Sequence, residues 1–297
     1  MRVLKWTGIV LGGLAGLLLL FGAFAYVAGG MKFNRTYTFA ESPLPVRADS
    51  ATRARGAHLV RTHACAECHG PDLGGKVLVD GMPFARIVAA NLTAGRGGIG
   101  TGYRDADWER ALRHGVNPQG RGLLIMPADL YTHLADDELG AMIAYLKTLP
   151  PVDNELPATE LGLVGRMVAT FNPLTMPELM TSPAGRPATA PPMGPTTAYG
   201  QYRTRTLCIA CHGADLHGAP HPDPAGPYGP DLGVVRDWTL VQFATALRGG
   251  VTPDGRTLDP HWMPWPHFSH LYDEEVEAIY RYLQVLPPRT EAPVANR

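Results

Sequence analysis

Hydrophobic positions along this chain fall into two regimes. From Trp6 through Met31 no charged residue interrupts the sequence, and the run includes GIVLGGLAGLLLLFGAFAYVAG. A helix needs about 20 apolar residues to cross a bilayer, so this run is long enough. Beyond residue 50 the apolar residues gather instead into short amphipathic segments parted by glycine- and proline-bearing loops. ATRARGAHLVRTH and, later, TTAYGQYRTRT each predict a helix. A middle helix ends in ALRHGV or ALRGGV, with glycine placed as its stop. A last helix, DDELGAMIAYLKTL or DEEVEAIYRYLQVL, opens on acidic residues that suit the positive end of the helix dipole and stops at Pro-Pro.

The order of these segments is the same both times, and from the cysteine motifs onward matching residues lie 135 to 143 positions apart. Self-similarity at a fixed offset marks a duplicated unit. The expected organisation is an anchor over 1–31, a tether over 32–50, a first domain over 51–152, a Pro-rich linker over 153–195, a second domain over 196–290 and a tail over 291–297. The linker carries eight prolines and reads as a semi-rigid spacer, in which LGLVGRMVATF forms a short amphipathic stretch packed on a neighbour. Gly56 and Gly200 sit inside the first helix of each unit, where a glycine costs about 1 kcal/mol against alanine and needs a packing reason. Tyr145 and Tyr282 of the last helices are expected to cross the first helices at these glycines.

For the N-terminal run there are two readings. Ala23-Phe24-Ala25 resembles a cleavage site, but the apolar stretch exceeds the 7 to 15 residues usual for a secretory signal core, which favours a retained anchor. Lys5 and Arg2 on one side are matched by Lys32 and Arg35 on the other, so flanking charge orients the helix weakly. Either way the rest of the chain leaves the cytoplasm. With 297 residues, of which 18% are charged, a net charge of −1 and no basic cluster, there is room for two cores and no footprint for nucleic acid. Twenty-eight prolines and 34 glycines point to short helices and long ordered loops.

All four cysteines fall in two copies of one motif, Cys65-Ala-Glu-Cys68-His69 and Cys208-Ile-Ala-Cys211-His212. Cys-x-x-Cys-His is the attachment signature of c-type haem: the three-residue step puts both thiols on one side of a helical turn, and the adjacent histidine reaches the iron. A zinc site would gather four ligands closely, yet 139 residues separate these pairs. A thioredoxin-like pair lacks its βαβ context, and a disulfide leaves the histidines unexplained. Each iron then needs a sixth ligand. Met126 and Met263 are the candidates, since each precedes a proline and lies between a GRxL loop and the last helix; the proline restrains the methionine backbone. His261, His267 and His270 crowd the second methionine without counterparts in the first unit, where His133 lies nearby, and read as surface or haem-rim residues. His63 reads as local. Arg113 and Arg248, shared by both units, are either partners of haem propionates or solvated.

These residues, with PFARIVAANLT, YRDADWERALRHGV and LIMP in the first unit and GPDL, ALRGGV and WMP in the second, resemble a membrane-anchored dihaem cytochrome c. Both units are similar to the haem domains in the cytochrome subunits of bacterial periplasmic dehydrogenases. The resemblance covers about residues 51–290. It implies a mainly α fold of an N-terminal transmembrane helix and two tandem class I-like cytochrome c domains, with two covalent haem c groups. It further implies axial Met126 and Met263, and haem domains on the periplasmic side of a bacterial cytoplasmic membrane. Two units and an N-terminal anchor depart from the three units common in such subunits, which leaves the dehydrogenase partner open. The expected function is electron relay between membrane or periplasmic redox partners in a respiratory or photosynthetic chain, without catalysis of its own. The alternative is a dihaem enzyme of peroxidase or thiosulfate-oxidising type, which needs an open iron position and an acid/base group.

Overall fold

A computed structural model describes residues 2–40, 44–171, 187–221, 223 and 225–289. The expected tail and the middle of the linker, 172–186, lie outside the described residues. The fold is mostly helical. Helix α1, Arg2–Phe33, is the N-terminal apolar helix, and its side chains are almost all exposed. The first repeat supplies α2 (Ser50–Thr62), α3 (Cys65–His69), α4 (Asp105–His114), α5 (Ala128–Tyr131) and α6 (Asp136–Leu146). After α7 (Leu163–Phe171) the second repeat supplies α8 (Thr197–Leu207), α9 (Ile209–His212), α10 (Leu240–Gly249), α11 (Trp265–Phe268) and α12 (Asp273–Gln284).

Local chemistry accounts for the helix ends. Asp49 caps α2 by accepting from the Thr52 amide, and Thr196 caps α8 through Tyr199. The middle helices α4 and α10 both stop at a left-handed glycine, Gly115 at φ 60° and Gly250 at φ 69°, as the sequence predicts. Unforeseen is a small antiparallel sheet. Strands β1 (Lys76–Gly81) and β2 (Ala85–Ala89) form a hairpin, and β3 (Glu160–Leu161) adds to β2 through Ala85–Leu161 and Arg86–Glu160 pairs. The stretch expected to act as a spacer therefore begins as an edge strand.

The chain divides into two compact units that cut across the repeat. One comprises residues 1–41, 68–126 and 150–181, and holds α1, the sheet, α4 and α7. The other comprises 42–67, 127–149 and 182–297, and holds α2, α5 and α6 of the first repeat with all of the second.

Within the second of these units, α2 packs on α6 and α8 on α12. The glycine crossings are as expected. A Cβ on Gly56 would overlap the Ala141 carbonyl and lie 2.9 Å from Tyr145 Cβ; one on Gly200 would overlap the Ala278 carbonyl and lie 2.9 Å from Tyr282 Cβ. The two helix pairs also meet each other through a buried polar cluster with near-twofold symmetry. Glu138 and Glu275 hold the same place in α6 and α12, and both are about 1% exposed. Each carboxylate accepts from a side chain at the same place in its own repeat, Arg55 (2.9 Å) or Tyr199 (3.2 Å), and Glu275 also from the Tyr272 amide at 2.9 Å. Each also has a hydrogen-bond partner in the other repeat: Tyr202 donates to Glu138 at 2.6 Å, and His58 Nε2 meets Glu275 at 2.7 Å.

Arg55 and His58 match Tyr199 and Tyr202 in the repeat frame, so the contacts are exchanged in pairs. His58 also stacks on Tyr272, centroids 4.0 Å apart, while at the matching place Tyr202 receives the Ala135 amide at 2.9 Å. One residue breaks the symmetry. Arg203, matched by Leu59, is fully buried between the glutamates, 3.2 Å from Glu275 and 3.9 Å from Glu138. Burial would depress its charge, but the two carboxylates outweigh that and raise its pKa. Burial would likewise raise Glu275, yet the His58 hydrogen bond and Arg203 hold it at about 2.

Candidate functional site

Each Cys-x-x-Cys-His motif folds as one turn of helix, α3 in the first repeat and the Cys208-capped α9 in the second. The chain leaves both turns in the same way. Gly70 and Gly213 take φ of 82° and 81°, and Leu73 and Leu216 take φ of 58° and 63°. The amide of Gly75 returns to the His69 carbonyl at 2.7 Å, and that of Gly218 to the His212 carbonyl at 2.8 Å. Left-handed leucines are uncommon, so their recurrence at matched places marks a backbone path held by its surroundings.

That path aims the histidines. His69 Nδ1 meets the Ala90 carbonyl at 2.7 Å, and His212 Nδ1 meets the Pro230 carbonyl at 2.8 Å. A carbonyl at Nδ1 requires the proton there and leaves Nε2 with its lone pair, the tautomer a metal-binding imidazole needs. Burial lowers the pKa of both imidazoles, opposed by the carbonyl bonds, and so favours the neutral ligating form. Burial also pushes the Cys208 thiol up to about 12 and raises Cys211. Such thiols are poorly suited to act as exposed thiolates and well suited to an uncharged thioether. All four cysteines are free of disulfides. The donor set and its orientation therefore fit a covalently held haem at each motif.

The candidate methionines occupy matched frames too. Met126 precedes Pro127, which leads into α5 at φ −80°, ψ 57°; Met263 precedes Pro264, which leads into α11 at φ −77°, ψ 53°. Both are half-buried, and Met263 packs at the edge of the core formed by Phe243, Leu247, Phe268 and Ile279. Upstream of each, a loop closes through Leu123 to Gly115 (2.6 Å) or Leu258 to Gly250 (2.7 Å).

Other singled-out residues have protein partners. His63 is buried and bonds the Leu59 carbonyl of its own helix at 2.8 Å; burial first, then the charge of Arg203, lowers it to about 3. His267 pairs with Glu67 of the first attachment motif at 2.8 Å, a contact between the repeats. Arg113 is fully buried, 3.2 Å from Glu109, and Arg248 pairs with Asp273 at 2.7 Å. Arg113 is therefore buried, whereas Arg248 is part-exposed and its partner Asp273 lies at the surface.

What sequence reasoning missed are the carbonyls that orient the histidines. Both lie in stretches that carried the resemblance, Ala90 in PFARIVAANLT and Pro230 in GPDL.

Comparison with known proteins bears out the class these sites define. Residues 51–146 match the family described as cytochrome c oxidase, cbb3-type, subunit III, and residues 198–287 match the cytochrome c family. The chain is thus a c-type cytochrome: it carries two cytochrome c domains and two haem c groups, and it is built for electron transfer. Among its relatives, the fructose dehydrogenase cytochrome subunit of Gluconobacter japonicus is 27% identical over 277 residues, 84% of this chain and 56% of that protein. A dihaem cytochrome c-type protein of Cereibacter sphaeroides is 28% identical over 264 residues, 79% of this chain and 86% of that one. The cytochrome c subunit of the quinone-linked alcohol dehydrogenase of Gluconacetobacter polyoxogenes is 28% identical over 276 residues, 81% and 57%. The chain spans just over half the length of the two dehydrogenase subunits.

Proposed function

We propose that this protein is a membrane-tethered relay that takes electrons from a dehydrogenase or quinol-oxidising partner and hands them to a soluble or membrane-bound acceptor. It performs no substrate chemistry of its own. Cys65 and Cys68 would hold one haem and Cys208 and Cys211 the other; His69 with Met126, and His212 with Met263, would ligate the two irons. A haem iron held by imidazole and thioether would supply one-electron redox chemistry without needing to bind a substrate. The chain's part is to fix the ligands: Ala90 and Pro230 orient the imidazoles, and Pro127 and Pro264 restrain the methionine backbones. The helix α1 anchors the haem domains at the outer face of the cytoplasmic membrane.

The observation that carries this reading is the matched frame of histidine, carbonyl and Met-Pro in both repeats. A catalytic haem would need one frame to differ, with an open iron and a free acid/base group. The unit-specific His267 instead bonds Glu67, and the peroxidase alternative draws no support from the relatives. The test is carbon monoxide added to the dithionite-reduced protein. Slow, substoichiometric binding at both haems is expected; rapid stoichiometric binding at one haem overturns the relay in favour of an enzyme.

A further inference from the structure

Helix α7 lies in the stretch that reads as a spacer, yet it is bound on two sides. Gly165 and Ala169 face the sheet, where Ala169 joins Ala85, Ile87 and Leu161 in one apolar cluster. Arg166 and Thr170 face α1: a Cβ on Gly29 would overlap the Arg166 carbonyl, the Arg166 guanidinium lies 4.8 Å over the Tyr26 ring, and Thr170 donates to the Ala25 carbonyl at 2.6 Å. Phe171 stacks on Phe21 at 6.0 Å. The contacts run from Gly29 back to Phe21 as α7 advances, so the helices are antiparallel.

The third side is apolar and, among the described residues, uncovered. Val164 is 43% exposed, Val168 38% and Phe171 68%, and at about 100° per residue they fall within about 60° of one another. The stripe meets the exposed apolar surface of α1 where Phe171 stacks on Phe21, itself 53% exposed.

Depth along α1 says what covers it. Trp6 and Tyr26 are about 30 Å apart at 1.5 Å per residue, the thickness of a bilayer's hydrocarbon core. Trp and Tyr favour the two interfaces of a membrane, and Arg2 and Lys5 lie beyond one ring, Lys32 and Arg35 beyond the other. On that scale Arg166, over Tyr26, stands at headgroup level. Phe171, beside Phe21, reaches about 7 Å deeper, within the range for helices lodged at the interface.

We propose that α7 is a second membrane contact, with Val168 and Phe171 seated in the acyl chains of the outer leaflet and Val164, a turn earlier, on the headgroup side of Arg166. The assignment rests on the reading of α1 as a retained anchor. Its consequence is that β2, packed on Ala169, is held at the membrane surface, and Ala90, which orients His69, is the residue after β2.

Site-directed spin labelling of the full haem-loaded chain in phosphatidylcholine–phosphatidylglycerol vesicles tests this. Single labels at Val168→Cys and Phe171→Cys are compared with Leu14→Cys on α1 and with Val241→Cys, an exposed apolar site on α10. The oxygen-to-nickel-chelate collision ratio at 168 and 171 should be several-fold above that at 241 and close to that at 14. A water-like ratio at 168 with a lipid-like ratio at 14 overturns the proposal and leaves the anchor standing. A water-like ratio at 14 overturns both. Low access to both probes at 168 means that protein, not lipid, covers the stripe, and overturns the proposal as well.

Discussion

Arg203→Met isolates the contribution of the one cation buried among the glutamates. Methionine keeps the length and apolar stem but leaves two buried carboxylates with Arg55, which is 42% exposed in its side chain, and His58. Removing one partner of a buried ion pair costs about 3–5 kcal/mol, because the remaining charge loses its compensation without regaining water. At about 2–4 °C per kcal/mol for a unit of this size, the melting temperature at neutral pH should fall on the order of 10 °C.

The pH dependence gives a second readout. In the wild type Glu275 has a folded pKa of about 2 against an ordinary 4.5. Its stabilisation, about 3 kcal/mol, is therefore present above 4.5 and lost as pH falls toward 2. In the variant burial raises the folded pKa, so acid protonates the carboxyl in place and relieves the penalty. The deficit should thus narrow between neutral pH and pH 4, and Glu275→Gln added to Arg203→Met should recover part of it. Helical circular dichroism of the detergent-solubilised holoprotein measures both. A melting temperature unchanged at neutral pH, or a deficit equal at both pH values, refutes the reasoning.

Other outcomes follow from sites already described. Gly200→Ala drives a methyl into the Ala278 carbonyl and should cost at least about 1–3 kcal/mol, seen as a lowered denaturant midpoint. Alanine at both Cys208 and Cys211 should leave one haem of two after acid-acetone extraction of the denatured protein; retention of two defeats the assignment. Met126→Ala and Met263→Ala should each abolish the weak sulfur-to-iron absorption band of one haem and lower its potential; survival of the band in both variants means that other ligands hold the irons. The chain should stay with the membrane through a high-salt wash, and a mature N-terminus at Tyr26 would contradict this.

What could be read from the sequence was what is local or repeated. Gly115 and Gly250 end their helices by a backbone conformation that glycine alone adopts freely, and Gly56 and Gly200 draw attention because a glycine inside a helix has a cost. The attachment motifs need only a single turn. Strand β3 could not be read this way, because its pairing with β2 spans more than seventy residues and two residues carry no period. Nor could the charge cluster. Glu138 and Glu275 stand third in acidic openings that look like complements to a helix dipole, and Arg203 sits in a polar segment indistinguishable from surface. Only the matched positions of the two glutamates, weighed with an arginine where the first repeat has Leu59, could have pointed to them.

That arginine bears on why the two haem domains share one chain. A homodimer places every residue twice about its axis, so a cation at the centre would arrive as a pair, two guanidiniums in one dry pocket repelling each other. A duplicated chain is released from that rule. Its halves can differ, and here one carries Leu59 where the other carries Arg203, so two carboxylates share a single positive charge. Fusion thus permits a junction that free subunits of identical sequence cannot build. It also makes the halves non-interchangeable: pairing two copies of the second half would put two arginines where one belongs, and pairing two copies of the first would put none.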